Sequence, residues 1–297
     1  MLRRFSCALA LLCALFVSAL GATAQAASVP YVALGDSFSS GEGNRPFDGK
    51  CHRAEGDDSA YPRILPSLVG YVAEPSFNAC TGATIADVWQ RPQPKRGDQK
   101  IQLEYLSPAT RLVTLTIGGN DVGFAEIVTK CLFRRDCTEG SLAEKVRERL
   151  ATIRARLTGA YRLIRERMEP GGYLLVAGYP RLFLPGPDAG CEKLISQKEA
   201  EWIDSLVIQG NARIAKAVAD ATALAGNIAY VDVTERFAGH ELCSKEEWLH
   251  DLHFSLHEGL NPFKGSYHPT ESGQHAYAEA FAGALSRPAI RAALTLP

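Results

Sequence analysis

Four short runs of the chain are apolar at nearly every position: Val29 to Gly35, Arg111 to Gly119, Tyr173 to Pro180 and Asn227 to Val233. A strand with one face in water alternates apolar and polar residues, so unbroken runs of this length, rich in Val, Leu, Ile and Tyr, predict strands covered on both faces. Between them the apolar positions recur at helical spacing. One predicted helix opens at Ser141 with Glu144 three residues on, a capping-box pattern, and stops at Pro170-Gly171-Gly172. A second runs from about Lys198 to Leu224 and a third from about Glu271 to Ser286. Strand and helix in alternation imply a central, mostly parallel sheet with helices on both faces, a three-layer α/β/α sandwich. Ligands of such sheets sit beyond the carboxyl ends of the strands. Two polar, glycine-flanked stretches fall there: Asp36-Ser37 after the first run, and Gly118 to Asp121 after the second.

The N-terminus has a different pattern. Arg3 and Arg4 precede an apolar run from Phe5 to Leu20 and then small residues, the layout of a secretory signal peptide with an Ala24-Gln25-Ala26 cleavage site. The run is too short for a retained membrane span, and no lipobox precedes Cys7 or Cys13. The expectation is a secreted chain, residues 1–26 being removed and 27–297 forming one domain. Loss of Arg3 and Arg4 moves the formal net charge from −1 to −3. That leaves no basic footprint for nucleic acid. About 270 residues remain, enough for one substantial core, and a monomer is expected. Of eight cysteines, six lie in the mature chain: Cys51, Cys80, Cys131, Cys137, Cys191 and Cys243. An even number in an exported chain points to disulfides. Pairing neighbours in order (51 with 80, 131 with 137, 191 with 243) keeps every closed loop local, and is the expected connectivity. A zinc site is the other reading, but no two cysteines have the spacing of a zinc knuckle.

Candidate chemistry lies in four stretches: Gly35-Asp36-Ser37 with Gly41 and Gly43, "CTGAT" from Cys80 to Thr84, "IGGND" from Ile117 to Asp121, and "SYHPTESG" from Ser266 to Gly273. Singly each reads as a turn, since Gly, Asp, Ser and Asn all favour turns. Together, in this order, they resemble the SGNH or GDSL hydrolase superfamily, and are most similar to its secreted actinomycete-type lipases and esterases. The resemblance implies Ser37 as nucleophile and His268 as base, with an oxyanion hole formed by the backbone N–H of Ser37, the backbone N–H of Gly82 and the side-chain amide of Asn120. The chemistry fits these residue types. A serine hydroxyl needs a base to accept its proton, a neutral imidazole supplies one near pH 7, and the oxyanion needs donors already in place. A base that must be neutral implies activity falling as pH drops through about 6.5, the reference value for histidine. The mechanism implies no metal and no organic cofactor.

Many family members carry an Asp three residues before the catalytic His, where this chain has Gly265. The resemblance therefore implies a Ser-His dyad, with the carbonyl of Gly265 or Ser266 orienting the ring and Asp251 as the fallback carboxylate. His250, Asp251, His253 and His257 also form a His/Asp cluster, but without the H-E-x-x-H pattern of a zinc helix they read as solvated loop residues. Leu242 to Phe263 carries Trp248, Leu249, Leu252, Phe254, Leu256, Leu260 and Phe263. It is either part of the core or an apolar wall beside the site. The function expected is hydrolysis of acyl esters through an acyl-serine. The alternatives are a carbohydrate O-deacetylase or acyltransferase of the same superfamily, and a non-catalytic secreted binding domain.

Overall fold

The structure, a computed structural model, describes residues 28–92, 100–133, 136–186, 195–252 and 265–296. The expected signal peptide lies outside them. The elements, in chain order, are β1 (Tyr31–Gly35), α1 (Ser37–Ser40), β2 (Phe47–Asp48), β3 (Arg53–Ala54), α2 (Tyr61–Val69), β4 (Ser76–Phe77), α3 (Ile85–Trp89), β5 (Leu112–Thr116), α4 (Gly119–Val122), α5 (Phe124–Phe133), α6 (Ser141–Arg167), β6 (Tyr173–Ala177), α7 (Gln197–Ala225), β7 (Ile228–Val231), α8 (Glu271–Leu285) and α9 (Pro288–Ala293). All four predicted strands and all three predicted helices are present.

The five-stranded sheet has the order β4-β1-β5-β6-β7, and every pairing in it is parallel. Successive side chains of a strand point to opposite faces, and the two cores follow that parity. Tyr31, Ala33, Leu112, Leu175 and Val231 face a layer containing α2 and α8. Val32, Leu34, Val113, Leu115 and Val176 face one built from α3, α6 and α7. Every residue of β1 and β5 is buried, as continuous apolar runs require. The chain leaves β1 for one edge of the sheet and returns to place β5 on its other side. The β1/β5 crevice is thus the switch point, where doubly wound sheets bind ligands.

Three local features went unread in the sequence pattern. The edge strand β4 is two residues long and the β2–β3 ribbon is two by two, too short for any periodicity. The expected capping box at Ser141 does not form, because Gly140 is the N-cap of α6 and offers no side chain. A capping box does form at the start of α7, where Ser196 and Glu199 satisfy each other's backbone N–H groups.

Disulfides join Cys51 to Cys80 and Cys131 to Cys137, as expected from pairing in order. Cys191, of the third expected pair, lies outside the described residues. Among the described residues, the one three-member cluster of ligand-type groups is Cys131, Cys137 and Glu199. Its two sulfurs are bonded to each other, which removes the zinc reading there. No helix among the described residues is long and apolar enough to cross a membrane.

Asp204 ties α7 to the loop after β6, accepting from the backbone N–H groups of Leu182 at 2.8 Å and Phe183 at 3.4 Å. Burial pushes its carboxyl up to about 6, from an ordinary 3.8. The folded state therefore holds this proton more tightly than the unfolded chain. Its contribution to stability is complete below pH 4 and is lost as pH rises through 6. Asp204→Asn keeps the acceptor oxygen and removes the charge. Urea unfolding is expected to show wild type and variant nearly equal at pH 4, with the variant ahead by about 2–3 kcal/mol at pH 7. A difference that does not grow with pH would remove this account of Asp204.

Candidate active site

Ser37 owes its position to the end of β1. Both peptide groups of Gly35 are held by Gln102, whose Oε1 accepts from the Gly35 N–H at 2.7 Å while its Nε2 donates to the Gly35 carbonyl at 2.8 Å. The next residue, Asp36, caps α1 by accepting from the Phe38 N–H at 3.1 Å. Its carboxylate also accepts from the Thr116 hydroxyl at 2.8 Å and the Tyr179 hydroxyl at 2.5 Å. Burial pushes the Asp36 carboxyl up to about 6, against the opposing pull of these hydrogen bonds, Tyr179 first. The strand thus ends in a rigid polar knot, and Ser37, as the first residue of α1, is presented beside it.

The second and third stretches are joined to each other. Gly82 follows Cys80, whose disulfide to Cys51 and a Thr81 N–H to Cys51 carbonyl bond at 2.9 Å hold the loop. Its φ of +76° lies in the left-handed region that glycine enters without strain. Asn120 lies in α4, directly after β5, and its Nδ2 donates to the Ala83 carbonyl at 2.9 Å. An amide carries two N–H donors, so this bond fixes the group while a second donor remains. Asp121 accepts from the Ile85 N–H at 2.9 Å and from Arg156 at 2.6 Å, fastening α4 to the start of α3. The Gly119 N–H donates to the Tyr179 hydroxyl at 3.1 Å, so one tyrosine touches both the Ser37 turn and the Asn120 turn.

His268 comes from the chain just before α8. Its Nδ1–H donates to the Ser266 carbonyl at 3.0 Å. That bond selects the tautomer whose Nε2 carries a lone pair. The turn needs unusual backbone: Gly265 has φ +95° and Tyr267 φ +63°. The second, at a residue with a bulky side chain, costs on the order of 1–3 kcal/mol. Glycine suits position 265 because it enters this region without a Cβ to strain. Asp251, the fallback carboxylate, is exposed, and the Nδ1 partner is the main-chain oxygen.

The His268 turn is braced from both sides. The His250 N–H donates to the His268 carbonyl at 2.8 Å, and the Tyr267 N–H to the His250 carbonyl at 2.7 Å. Asn44, buried in the loop after Ser37, donates from Nδ2 to the carbonyls of Pro269 and Ser59, each at 3.0 Å, and accepts from His250 Nε2–H at 2.8 Å. The Ser37 loop and the His268 loop are therefore pinned together by one side chain. His250 is thus a structural hydrogen-bonding residue. His253 and His257 lie outside the described residues. So does the stretch 253–263 of the proposed apolar wall, while Leu242 and Leu249 are core residues and Trp248 stacks on His240 with ring centroids 3.7 Å apart. For its described part, this segment is core rather than cavity wall.

Ser37, Gly82, Asn120 and His268 all line one cavity of about 270 Å³. The His268 and Phe38 rings lie with centroids 5.2 Å apart, which sets the imidazole beside the start of α1. Away from these polar groups the cavity runs between α5 and α7 and is apolar, with Val128, Leu132, Leu206 and Ile214 in its walls. Sequence reasoning missed Asn44, Gln102 and Tyr179. Their contacts with Pro269, Gly35 and Asp36 span 67 to 225 positions in a linear reading that carries no signal for them, although Asn44 stands in the same glycine-rich loop as the serine.

Fold and cavity together define a hydrolase of the serine ester class. The family described as GDSL-like Lipase/Acylhydrolase matches this chain over residues 33–276. The chain belongs to that family. It is similar to a lipase of Streptomyces rimosus, 35% identical over 280 residues that cover 92% of this chain and 94% of that protein. Among solved structures it is similar to phospholipase A1 from Streptomyces albidoflavus, with TM-score 0.71, 32% identity, and coverage of 86% of this chain and 99% of that one. It is also similar to the extracellular lipase of Streptomyces rimosus, with TM-score 0.69, 35% identity, and coverage of 86% and 100%.

Proposed function

We propose that this protein is a secreted lipase or esterase in which Ser37 and His268 form a catalytic dyad. His268 Nε2 takes the Ser37 hydroxyl proton as the oxygen attacks the ester carbonyl. The oxyanion that develops is held by the N–H groups of Ser37 and Gly82 and by the Asn120 amide. Collapse of the tetrahedral intermediate expels the alcohol, which takes the proton from the imidazolium, and an acyl-serine remains. Water, deprotonated by the same nitrogen, then releases the acid. The observation that carries this reading is the convergence of all four groups on one cavity, with Nδ1 of the base already engaged by a carbonyl. The apolar extension of that cavity favours acyl chains over the acetyl groups that an O-deacetylase removes.

Residues 1–26 are proposed as a cleaved export signal and 27–297 as a single catalytic domain acting as a monomer. Secretion is supported by the disulfides and by the extracellular relative. A fluorophosphonate probe is expected to label the mature protein at Ser37, and peptide mapping of the labelled chain checks it. A folded protein that resists labelling and turns over no p-nitrophenyl ester would make it a binding domain instead.

A further inference from the structure

The residues of α7 that line the cavity are Ile203, Leu206, Val207, Gly210 and Ile214. Their spacing of three, four, seven and eleven places one stripe along a single helix face. Four of the five are branched aliphatics, and the fifth has no side chain. Glycine is among the poorest residues for a helix interior, and position 210 is well inside a helix of 29 residues. Two ordinary reasons for it are absent. Its φ is not in the left-handed region, and a Cβ built on it meets no atom within 4 Å. Other glycines around the site differ: a Cβ at Gly119 would touch the Tyr179 ring at 3.4 Å, and one at Gly178 would collide with the Tyr230 hydroxyl at 2.4 Å. What remains at 210 is the space itself, a notch in an otherwise continuous aliphatic ridge.

We propose that Gly210 is a specificity-determining position, the notch through which an acyl chain longer than acetyl passes between α5 and α7. The inference rests on the ester-hydrolase reading above. A side chain at 210 would project from the stripe into the cavity and displace the chain's methylenes. Short acyl groups, which end near Ser37, do not reach it.

The test uses Gly210→Ala and Gly210→Leu of the mature protein, with p-nitrophenyl acetate, butyrate, octanoate and laurate. Both replacements are good helix formers, so thermal melts are expected at or above wild type. The laurate-to-acetate ratio of kcat/KM is expected to fall about threefold in the alanine variant and tenfold or more in the leucine variant, as the loss of one and of two or more buried methylene contacts implies. The loss is expected mainly in KM for the long esters. An unmoved ratio in either folded variant, or an equal loss on all four esters, overturns the role of Gly210 alone. No wild-type turnover on any of the four overturns the ester reading, and this inference with it. If the leucine variant does not fold, the alanine ratio decides.

Discussion

Replacing Ser37 by alanine is expected to lower kcat for a p-nitrophenyl ester by roughly a millionfold, replacing His268 by alanine by a similar factor, and combining the two by no more than either alone. The reason lies in what each group does without the other. A serine hydroxyl that cannot pass on its proton is a poor nucleophile, and an imidazole with no hydroxyl to deprotonate has no covalent route to assist. The activity left in all three variants would come from the donors that hold the oxyanion. Single-turnover kinetics on wild type and the three variants measures the effect. A double variant much slower than either single one would mean that the two residues act independently, which the dyad does not allow.

The second largest effect is expected at Asn120. On the proposed mechanism its replacement by alanine removes one oxyanion donor, and it is expected to lower kcat by about a hundred- to a thousandfold with little change in KM, because the developing charge exists in the transition state and not in the bound ester. The same change leaves the Ala83 carbonyl without the amide that reaches it at 2.9 Å, so some stability is lost as well. That second effect has a separate readout. Circular-dichroism melts report the packing loss, and kcat at a temperature well below both melts reports the chemistry. A variant that melts early yet keeps wild-type kcat would assign Asn120 to loop structure and leave the oxyanion to the two backbone groups.

The framework of the molecule could be read from patterning because its central strands are buried on both faces and its long helices carry regular stripes. β1, β5, β6 and β7 are all apolar runs, and α6, α7 and α8 all lie where periodicity placed them. Two-residue strands have no period, so β4 was invisible. Ser141 matched the letters of a capping box, but Gly140 already occupied the turn before it. At the site, the chemistry-bearing residues stood in short stretches whose order carried the family resemblance. Their supports did not stand there. Gln102 holds Gly35, Tyr179 bridges Asp36 and Gly119, and Asn44 grips Pro269 and His250. Each contact joins distant parts of the chain, and which polar side chain meets which carbonyl is settled only by how the layers close. The choice between Ser266 and Asp251 was of the same kind.

The oxygen behind the imidazole belongs to the main chain, and main-chain atoms are not altered by codon changes. An alanine scan through 265–270 would therefore register His268 as a sharp minimum, while at Ser266 it would leave in place the main-chain atom that aims the ring. The vulnerable positions are the ones that shape the turn. Gly265→Ala, by disfavouring the left-handed bend at φ +95°, would tilt that oxygen away and loosen the aim of the ring.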